Sequence, residues 1–379
     1  MKISLYDLNK DQTNILKAIA ITLIVFHNFL HLIAFVGENE MWLDPDRIFR
    51  LFDIISNPEN RSISLYIREL ASYIGWAGVP IFVFISGFGL TKTFIRKEPS
   101  GYIKYLVPRL KKLYLLFLFA YIIYFFMLII ALGEEFNKYD YIRFTILSLL
   151  AMPIKNYNLH IAFLYIGPGW YFCLASQLYI LFPLLFKYSK KYKLQGCLIL
   201  LAIAYILIYI TIPIANKFGY PIYANFIGHL PEFILGIMLA MYKEIKITWK
   251  TVLAATILFA LANFYQTFYP FTFISFSILL ITITYPIYSK ISPANFGYKT
   301  LVFIGKISMF MFVINAPIRN LYTLRMAEGQ EPSIQIAISV LHFIIVVTAS
   351  YLLSIIYNKT GEGFDYLKRK LLSLKNRTS

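Results

Sequence analysis

Residues 16–33 read LKAIAITLIVFHNFLHLI, and this apolar run decides the fold class of the 379-residue chain. A helix of about 20 apolar residues crosses the roughly 30 Å hydrocarbon layer of a membrane. Runs of similar length recur along the whole sequence, and 59% of the residues are hydrophobic while 15% are charged. This composition is typical of a polytopic membrane protein.

The hydrophobic pattern predicts an all-α integral membrane protein: one membrane domain over residues 1–379, with no appended soluble domain and about ten transmembrane helices. The first run follows the polar stretch YDLNKDQTN without a small-residue cleavage site, so we expect a retained helix. The predicted helices lie at residues 15–36, 69–90, 113–133, 161–186, 194–214, 225–242, 251–269, 271–289, 301–320 and 334–357.

The net charge of +17 is explained by membrane topology rather than by nucleic-acid binding. With the N-terminus inside, 26 of the 36 Lys and Arg residues fall in segments assigned to the cytoplasmic side. This is the positive-inside pattern, and ten helices then place both termini in the cytoplasm. The two cysteines, Cys173 and Cys197, lie in apolar runs and suggest neither a disulfide framework nor a metal site.

Two outer segments are long, residues 37–68 and 134–160. The second contains the apolar piece YIRFTILSLLAMP at residues 141–153, which is too short to span a bilayer. It predicts an interfacial or re-entrant helix that ends at Pro153.

Two histidines in the first helix are the clearest candidates for chemistry, because polar rings inside a membrane helix are costly unless they face protein or water. His27 and His31 lie about 40° apart around the helix and can face the same side. Lys17 lies near the cytoplasmic end, roughly 15 Å below His27. The alternative is a structural role in hydrogen bonding between helices.

The second helix and the basic run after it form a further candidate region. Gly75, Gly78, Gly87 and Gly89 allow close backbone approach, and Ser86 adds a hydroxyl beside them. The basic run ends in four cations at the inner surface, which either anchor the chain on anionic lipid or bind a ligand. Pro108 and the apolar helix that follows hold Arg109 at the membrane boundary, where its guanidinium can clamp a phosphate. The four cations are Lys104, Arg109, Lys111 and Lys112.

Six stretches occur in a fixed order along the chain: LKAIAITLIVFHN, VPIFVFISGFGL, YIKYLVPRLKKLY, GWYFCLASQLYILFP, HLPEFILGIMLA and FIGKISMFMFVINAPI. Together they resemble the membrane-bound acyltransferase family 3, whose members acylate sugars of cell-surface polysaccharides, lipopolysaccharide or peptidoglycan. The resemblance covers about residues 11–357.

In that family the first helix carries an arginine, ten intervening residues and a catalytic histidine. Here Lys17 takes the arginine position, but nine residues separate it from His27, and the ten-residue spacing falls on Asn28. Around the helix, Asn28 lies about 20° from Lys17, His31 about 40° and His27 about 80°. His27 is the first candidate for the catalytic base and His31 the second.

The fourth helix resembles the family pattern at Trp170, Gln177, Tyr179 and Pro183. The dipeptide Ala175-Ser176 stands where many members have two acidic residues, so this helix supplies no acid.

Near the end of the chain, Asn315 stands where a histidine is common, which removes a second base. Glu232, in the PEF stretch, is the one carboxylate predicted inside a helix. It is either a site residue or a structural partner of His229 or Arg319.

The resemblance implies transfer of an acyl group, with acetyl expected, from acyl-coenzyme A to a hydroxyl of a cell-surface or lipid-linked glycan. His27 or His31 would act as the base, with Asn28 or Gln177 orienting the ring or donating to the oxyanion. Lys17, Arg109 and Lys112 would hold the phosphates of the donor. Trp170, His160 and the outer loop 37–68 would contact the sugar.

No cofactor is expected to stay bound, since acyl-coenzyme A is a co-substrate, and a direct transfer without a covalent intermediate is favoured. The expected location is a bacterial cytoplasmic membrane, with lipid around the bundle and either a monomer or a homodimer. Two other classes stay open: a transporter or flippase of glycolipids, and a non-catalytic subunit of a polysaccharide assembly complex. The absence of an internal repeat weighs against a transporter.

Overall fold

The computed structural model describes residues 2–36, 44, 46–57, 59, 62–150 and 169–375, with side chains described up to residue 360 except that of Phe144. His160, Pro153 and the start of the predicted helix 161–186 lie outside the described residues, as do residues 37–43, 45, 58, 60 and 61 of the outer stretch. The described part of the chain belongs to the all-α class, with 85% of it helical.

Thirteen α-helices account for nearly all of the described chain. The first six are α1 Lys10–Leu30, α2 Arg47–Ser56, α3 Ile63–Ile74, α4 Gly78–Arg96, α5 Tyr102–Leu132 and α6 Lys138–Leu150. The others are α7 Trp170–Lys217, α8 Phe226–Met241, α9 Trp249–Phe264, α10 Thr272–Lys290, α11 Phe296–Ile318, α12 Leu324–Ala327 and α13 Pro332–Lys375. Two short antiparallel strands, β1 Lys2–Ile3 and β2 Ile247–Thr248, join the N-terminus to the start of α9.

Side-chain caps explain where several helices begin. Asn9 accepts a hydrogen bond from the backbone N–H of Gln12 at 2.9 Å, and the Gln12 side chain accepts one from the N–H of Asn9 at 3.0 Å. This capping box satisfies two donors that the first turn of α1 cannot pair internally. Thr248 and Thr251 form the same arrangement at the start of α9.

Seven helical segments in the described part of the chain are long and apolar enough to cross a membrane, and α8 and α9 are shorter apolar helices. The longest segment, α7, has 48 residues and is broken at Lys193, where φ is 54° and ψ is −144°. At 1.5 Å per residue an unbroken helix of this length would measure about 72 Å, more than twice the hydrocarbon thickness.

The two halves of α7 return to the same end of the bundle. In the first half, Trp170 stacks on His229, whose ring lies 5.1 Å from Phe273 at the start of α10. In the second half, Tyr205 stacks on Phe271, which precedes Phe273 by two residues. The break at Lys193 therefore reverses the chain direction.

Close backbone contacts at glycine place α1, α4, α8 and α11 together in the core. A Cβ at Gly87 in α4 would lie 2.3 Å from the carbonyl oxygen of Phe233 in α8, and one at Gly236 in α8 would lie 2.3 Å from that of Phe84. Gly78 contacts α1 at Ala20 in the same way. The prediction of close approach is wrong for Gly89, because a Cβ there would meet no atom within 4 Å.

Candidate functional site

His27 lies in the last turn of α1, where the chain breaks between α3 and α4. Residues Gly75–Ala77 form a single 3-10 turn, and a Cβ at Gly75 would lie 2.4 Å from the Cβ of His27. The His27 side chain is fully buried, and its Nδ1 lies 2.8 Å from the carbonyl oxygen of Ser72 in the last turn of α3. The carbonyl groups in the last turn of a helix lack partners within that helix. The break after α3 therefore leaves the Ser72 carbonyl accessible to His27.

This contact assigns the tautomer of His27. A carbonyl oxygen only accepts hydrogen bonds, so Nδ1 carries the proton and donates it to Ser72. The other nitrogen, Nε2, then holds the lone pair in the neutral ring. Nε2 is therefore the atom through which the ring could accept a proton as a general base.

His31 lies directly beside His27. The two rings are stacked, with centroids 4.8 Å apart and planes 17° apart, and Nδ1 of His31 donates to the carbonyl oxygen of His27 at 2.8 Å. His31 is half-buried, while His27 is closed off. In both rings Nε2 is therefore the nitrogen that could accept a proton. The sequence analysis named both residues as candidates for the base, and this geometry does not choose between them.

A π-helical turn, Arg319–Thr323, follows α11 and meets the same end of α1. The Arg319 guanidinium donates through Nη1 to the carbonyl oxygen of Asn28 and through Nε to Asn320 at 2.9 Å. The sequence analysis offered Arg319 as a possible partner of Glu232. In the structure Arg319 contacts α1 instead. Isolated π-turns occur often at functional sites.

Asn315 pairs with a histidine from the last helix, which the sequence analysis did not single out. Nε2 of His342 lies 2.7 Å from Oδ1 of Asn315, and Nδ1 lies 2.9 Å from the hydroxyl of Thr323. The ring of His342 also packs on Phe29 in α1, at 5.0 Å. The structure therefore places an imidazole beside position 315 although the residue there is asparagine. The intramembrane-histidine rule applied to His27 would have found it.

The predicted donor-binding cations lie on α1 and α5. Lys17 is half-buried and is within electrostatic range of Lys112 and Lys10. The Arg109 guanidinium donates to the carbonyl oxygen of Tyr105 at 2.8 Å and lies over the Tyr105 ring, with Cζ 4.2 Å from its centroid.

Two further predicted residues lie on α4 and α7. Tyr179 is within electrostatic range of the Arg109 charge. Ser86 donates to the carbonyl oxygen of Phe82, one turn earlier in its own helix, at 2.8 Å.

Gln177, Trp170 and Glu232 belong to a different group, around the start of α8. Oε1 of Gln177 accepts from the N–H of Phe226 at 3.0 Å and so caps α8. Glu232 is fully buried and its Oε1 lies 2.5 Å from Nδ1 of His229, whose Nε2 donates to the carbonyl oxygen of Tyr223. Trp170 is 5% exposed, its ring stacked on His229. Trp170 is therefore packed against His229 rather than open to a sugar, and Glu232 is paired with His229.

Glu232 is not the one carboxylate inside a helix, which corrects the sequence analysis. Glu69 lies within α3, fully buried, and accepts from Arg68 at 2.6 Å. Its oxygens also accept from the N–H groups of Phe35 and Val36 at 3.2 and 3.0 Å. Arg68 in turn donates to Gln335 in α13 at 2.7 Å. The predicted span 69–90 begins at Glu69, whereas the structure begins α3 at Ile63 and so encloses this residue.

The remaining predicted positions are apolar or paired locally. Ala175 and Ser176 are buried, and the Ser176 hydroxyl donates to the carbonyl oxygen of Cys173 at 2.8 Å. Cys173 and Cys197 are buried, and neither forms a disulfide. Across the described ranges, no group of three or more His, Cys, Asp and Glu side chains is arranged to hold a metal ion.

These features define an all-helical, multi-pass membrane protein with a histidine pair buried at a helix break. The family model for acyltransferase family 3, described as an acyltransferase domain, matches residues 11–359, so the chain belongs to this family. Searches of curated proteins and of solved structures give no match.

Proposed function

We propose that the protein is an O-acyltransferase that moves an acyl group, acetyl by expectation, from acyl-coenzyme A to a hydroxyl of a cell-surface or lipid-linked glycan. The observation that supports this most directly is the Nδ1–H of His27 donating to the Ser72 carbonyl at 2.8 Å. This contact supports Nε2 as the proton-accepting atom of a base, in a chain that belongs to an acyltransferase family.

We also propose ten membrane crossings with both termini on the cytoplasmic side of a bacterial cell membrane. The seven long apolar segments, the reversal at Lys193 and the two shorter helices α8 and α9 support this number. The charge distribution supports the orientation. On this topology His27 lies in the outer half of the bundle and Lys17 in the inner half.

In the proposed reaction Nε2 of His27 takes the proton of an acceptor hydroxyl while the hydroxyl oxygen attacks the carbonyl carbon of the thioester. The carbon–sulfur bond then breaks, and the departing thiolate of coenzyme A takes the proton from the imidazolium. The products are an ester on the glycan and free coenzyme A. We place Asn28 at the oxyanion, because it follows His27 directly on α1, whereas the Gln177 carboxamide is held at the start of α8 by the hydrogen bond that its oxygen accepts from Phe226.

Lys17, Lys112 and Arg109 are proposed to hold the phosphates of the donor from the cytoplasmic side, with Tyr179 and Ser86 beside them. The mutual repulsion of Lys17 and Lys112 supports this, because a bound phosphate would relieve it. Acyl-coenzyme A is consumed and free coenzyme A would leave after each turnover, so no cofactor stays bound. The acceptor glycan is placed at the outer end, near Arg319 and Asn28.

The experiment is transfer of label from radiolabelled acetyl-coenzyme A to cell-envelope glycan in membranes containing the wild type, His27→Ala, His31→Ala or Leu32→Ala. Leu32 follows His31 and is 46% exposed, so its variant is the control for the same turn. We expect His27→Ala to abolish transfer with normal amounts of folded protein and Leu32→Ala to retain it. A His31→Ala variant that alone abolishes transfer would assign the base to His31.

Full transfer by both histidine variants would rule out a histidine base. No transfer by the wild type with any envelope acceptor would instead favour a transporter or a non-catalytic subunit.

A further inference from the structure

We propose that Arg47, on the outer helix α2, is a positioning residue for His27. This inference rests on the proposed function, because it concerns the same histidine. Its basis is a shared acceptor: Nη2 of Arg47 donates to the carbonyl oxygen of Ser72 at 2.9 Å, and Nδ1–H of His27 donates to that same oxygen at 2.8 Å.

The shared carbonyl belongs to the end of α3. The last carbonyls of a helix have no partner within it, and the 3-10 turn that follows leaves those of Ser72 and Tyr73 to other donors. Tyr73 accepts from Nη2 of Arg47 at 2.7 Å and from the indole N–H of Trp76 at 2.8 Å. A guanidinium at this position also complements the partial negative charge of the helix C-terminus.

Arg47 is held firmly enough to act in this way. The residue is 2% exposed at the start of α2. Its Cζ lies 4.4 Å from the centroid of the Tyr73 ring, a cation–π contact. One nitrogen thus bridges two successive carbonyls while the guanidinium rests on the ring of the second residue.

The consequence for His27 is a fixed ring orientation. A carbonyl oxygen has two lone pairs, and here one binds the imidazole and the other binds the guanidinium. Arg47 therefore holds the oxygen that selects the Nδ1–H tautomer of His27 and directs Nε2. A base displaced by about 1 Å loses on the order of 100-fold in rate, so removing the anchor should lower kcat.

The test compares Arg47→Ala and Arg47→Lys with Arg50→Ala in the full-length protein. Arg50 lies one turn further along α2, but it donates to the carbonyl oxygen of Val36 at 2.9 Å and pairs with Asp44. It is therefore a matched control for removing an arginine from α2. Initial rates of acetyl transfer to glycan are measured against both substrates.

We expect Arg47→Ala to lower kcat about 100-fold with both KM values nearly unchanged, because the base is displaced while the substrate contacts remain. Arg47→Lys keeps one donor and should recover part of kcat, and Arg50→Ala should match the wild type. A purely structural role would lower the amount of folded protein and leave kcat per folded molecule unchanged, which would overturn the inference.

A second readout needs no acyl transfer: the rate at which diethyl pyrocarbonate modifies His27, followed by mass spectrometry. We expect this rate to rise several-fold in Arg47→Ala and to stay at the wild-type value in Arg50→Ala. An unchanged rate in folded Arg47→Ala would also overturn the inference. If the wild type transfers label and Arg47→Ala does so equally well, the positioning role fails while the acyltransferase function stands.

Discussion

The backbone of Gly75 packs directly on the side chain of His27, since a Cβ at position 75 would lie 2.4 Å from the histidine Cβ. Real Cβ atoms essentially never approach this closely. The same Cβ would also lie 2.7 Å from the carbonyl oxygen of Leu23. The site therefore depends on a missing side chain as much as on the two histidines.

Gly75→Ala should displace His27 and lower activity together with stability. Overpacking of this kind costs about 1–3 kcal/mol, because backbone on one side and a buried ring on the other leave little room to adjust. The measurements are acetyl transfer and thermal unfolding in detergent. Full activity and an unchanged midpoint would contradict the close packing.

Gly89→Ala is the control for a glycine in the same region of the chain. It is exposed and a Cβ there would meet no atom within 4 Å, so stability should change by less than about 1 kcal/mol. A Gly89→Ala variant as damaged as Gly75→Ala would point to a general sensitivity of this segment to alanine.

The contact between α4 and α8 predicts a second pair of sensitive glycines. Gly87→Ala and Gly236→Ala each place a Cβ within 2.3 Å of a carbonyl oxygen on the opposite helix. Backbone cannot move aside as a side-chain tip can, so each variant should lower the unfolding midpoint, and the two together should not add fully because one helix shift relieves both contacts. Thermal unfolding of the single and double variants measures this.

The sequence was informative where one local property decides the structure. Helices were predictable because spanning needs length and hydrophobicity, and the close approach at Gly75, Gly78 and Gly87 followed from the need for small residues between membrane helices. The length of α2 and the contacts of Arg47 were not predictable. Nothing in the residues around position 47 indicates that its side chain is buried against the end of α3.

The site shows the same division. The histidine pair follows from helical spacing within a single element, and the stacked rings agree with that spacing. The partners Ser72, Arg319 and His342 come from distant parts of the chain, so only the packed bundle brings them to α1. The sequence left two partners open for Glu232, His229 and Arg319. The structure pairs it with His229, three positions earlier in the same helix.

The Asp44–Arg50 pair on the outer side predicts a small, pH-defined contribution to stability. The hydrogen bond from Arg50 holds the pKa of Asp44 below its ordinary value of 3.8. A lowered carboxyl pKa stabilises the fold above that ordinary value, and the contribution disappears as the pH falls through the folded value. Asp44→Asn should therefore lower stability equally at pH 8 and pH 5.

Both side chains of this pair are more than a third exposed, so solvent screening limits the loss to less than about 1 kcal/mol. Thermal unfolding of the wild type and Asp44→Asn between pH 8 and pH 3 measures it. A difference that grows as the pH falls from 8 to 5 would contradict this account.

Variants of the buried His229–Glu232 pair can distinguish a structural role of Glu232 from a binding role. Nε2 of His229 donates to the carbonyl oxygen of Tyr223, and Nδ1 lies 2.5 Å from Oε1 of Glu232, so both ring nitrogens have a partner. Removing one partner leaves a buried polar group unpaired, at a cost of about 3–5 kcal/mol, whereas replacing both by apolar residues does not. His229→Leu and Glu232→Leu should each reduce the amount of folded protein, and the double variant should restore it.

The activity of the double variant is the second measurement. If the restored double variant also transfers acetyl at the wild-type rate, Glu232 serves packing alone. If it folds but is inactive, the His229–Glu232 pair serves the reaction as well as packing, because no loss of folding accounts for the missing activity.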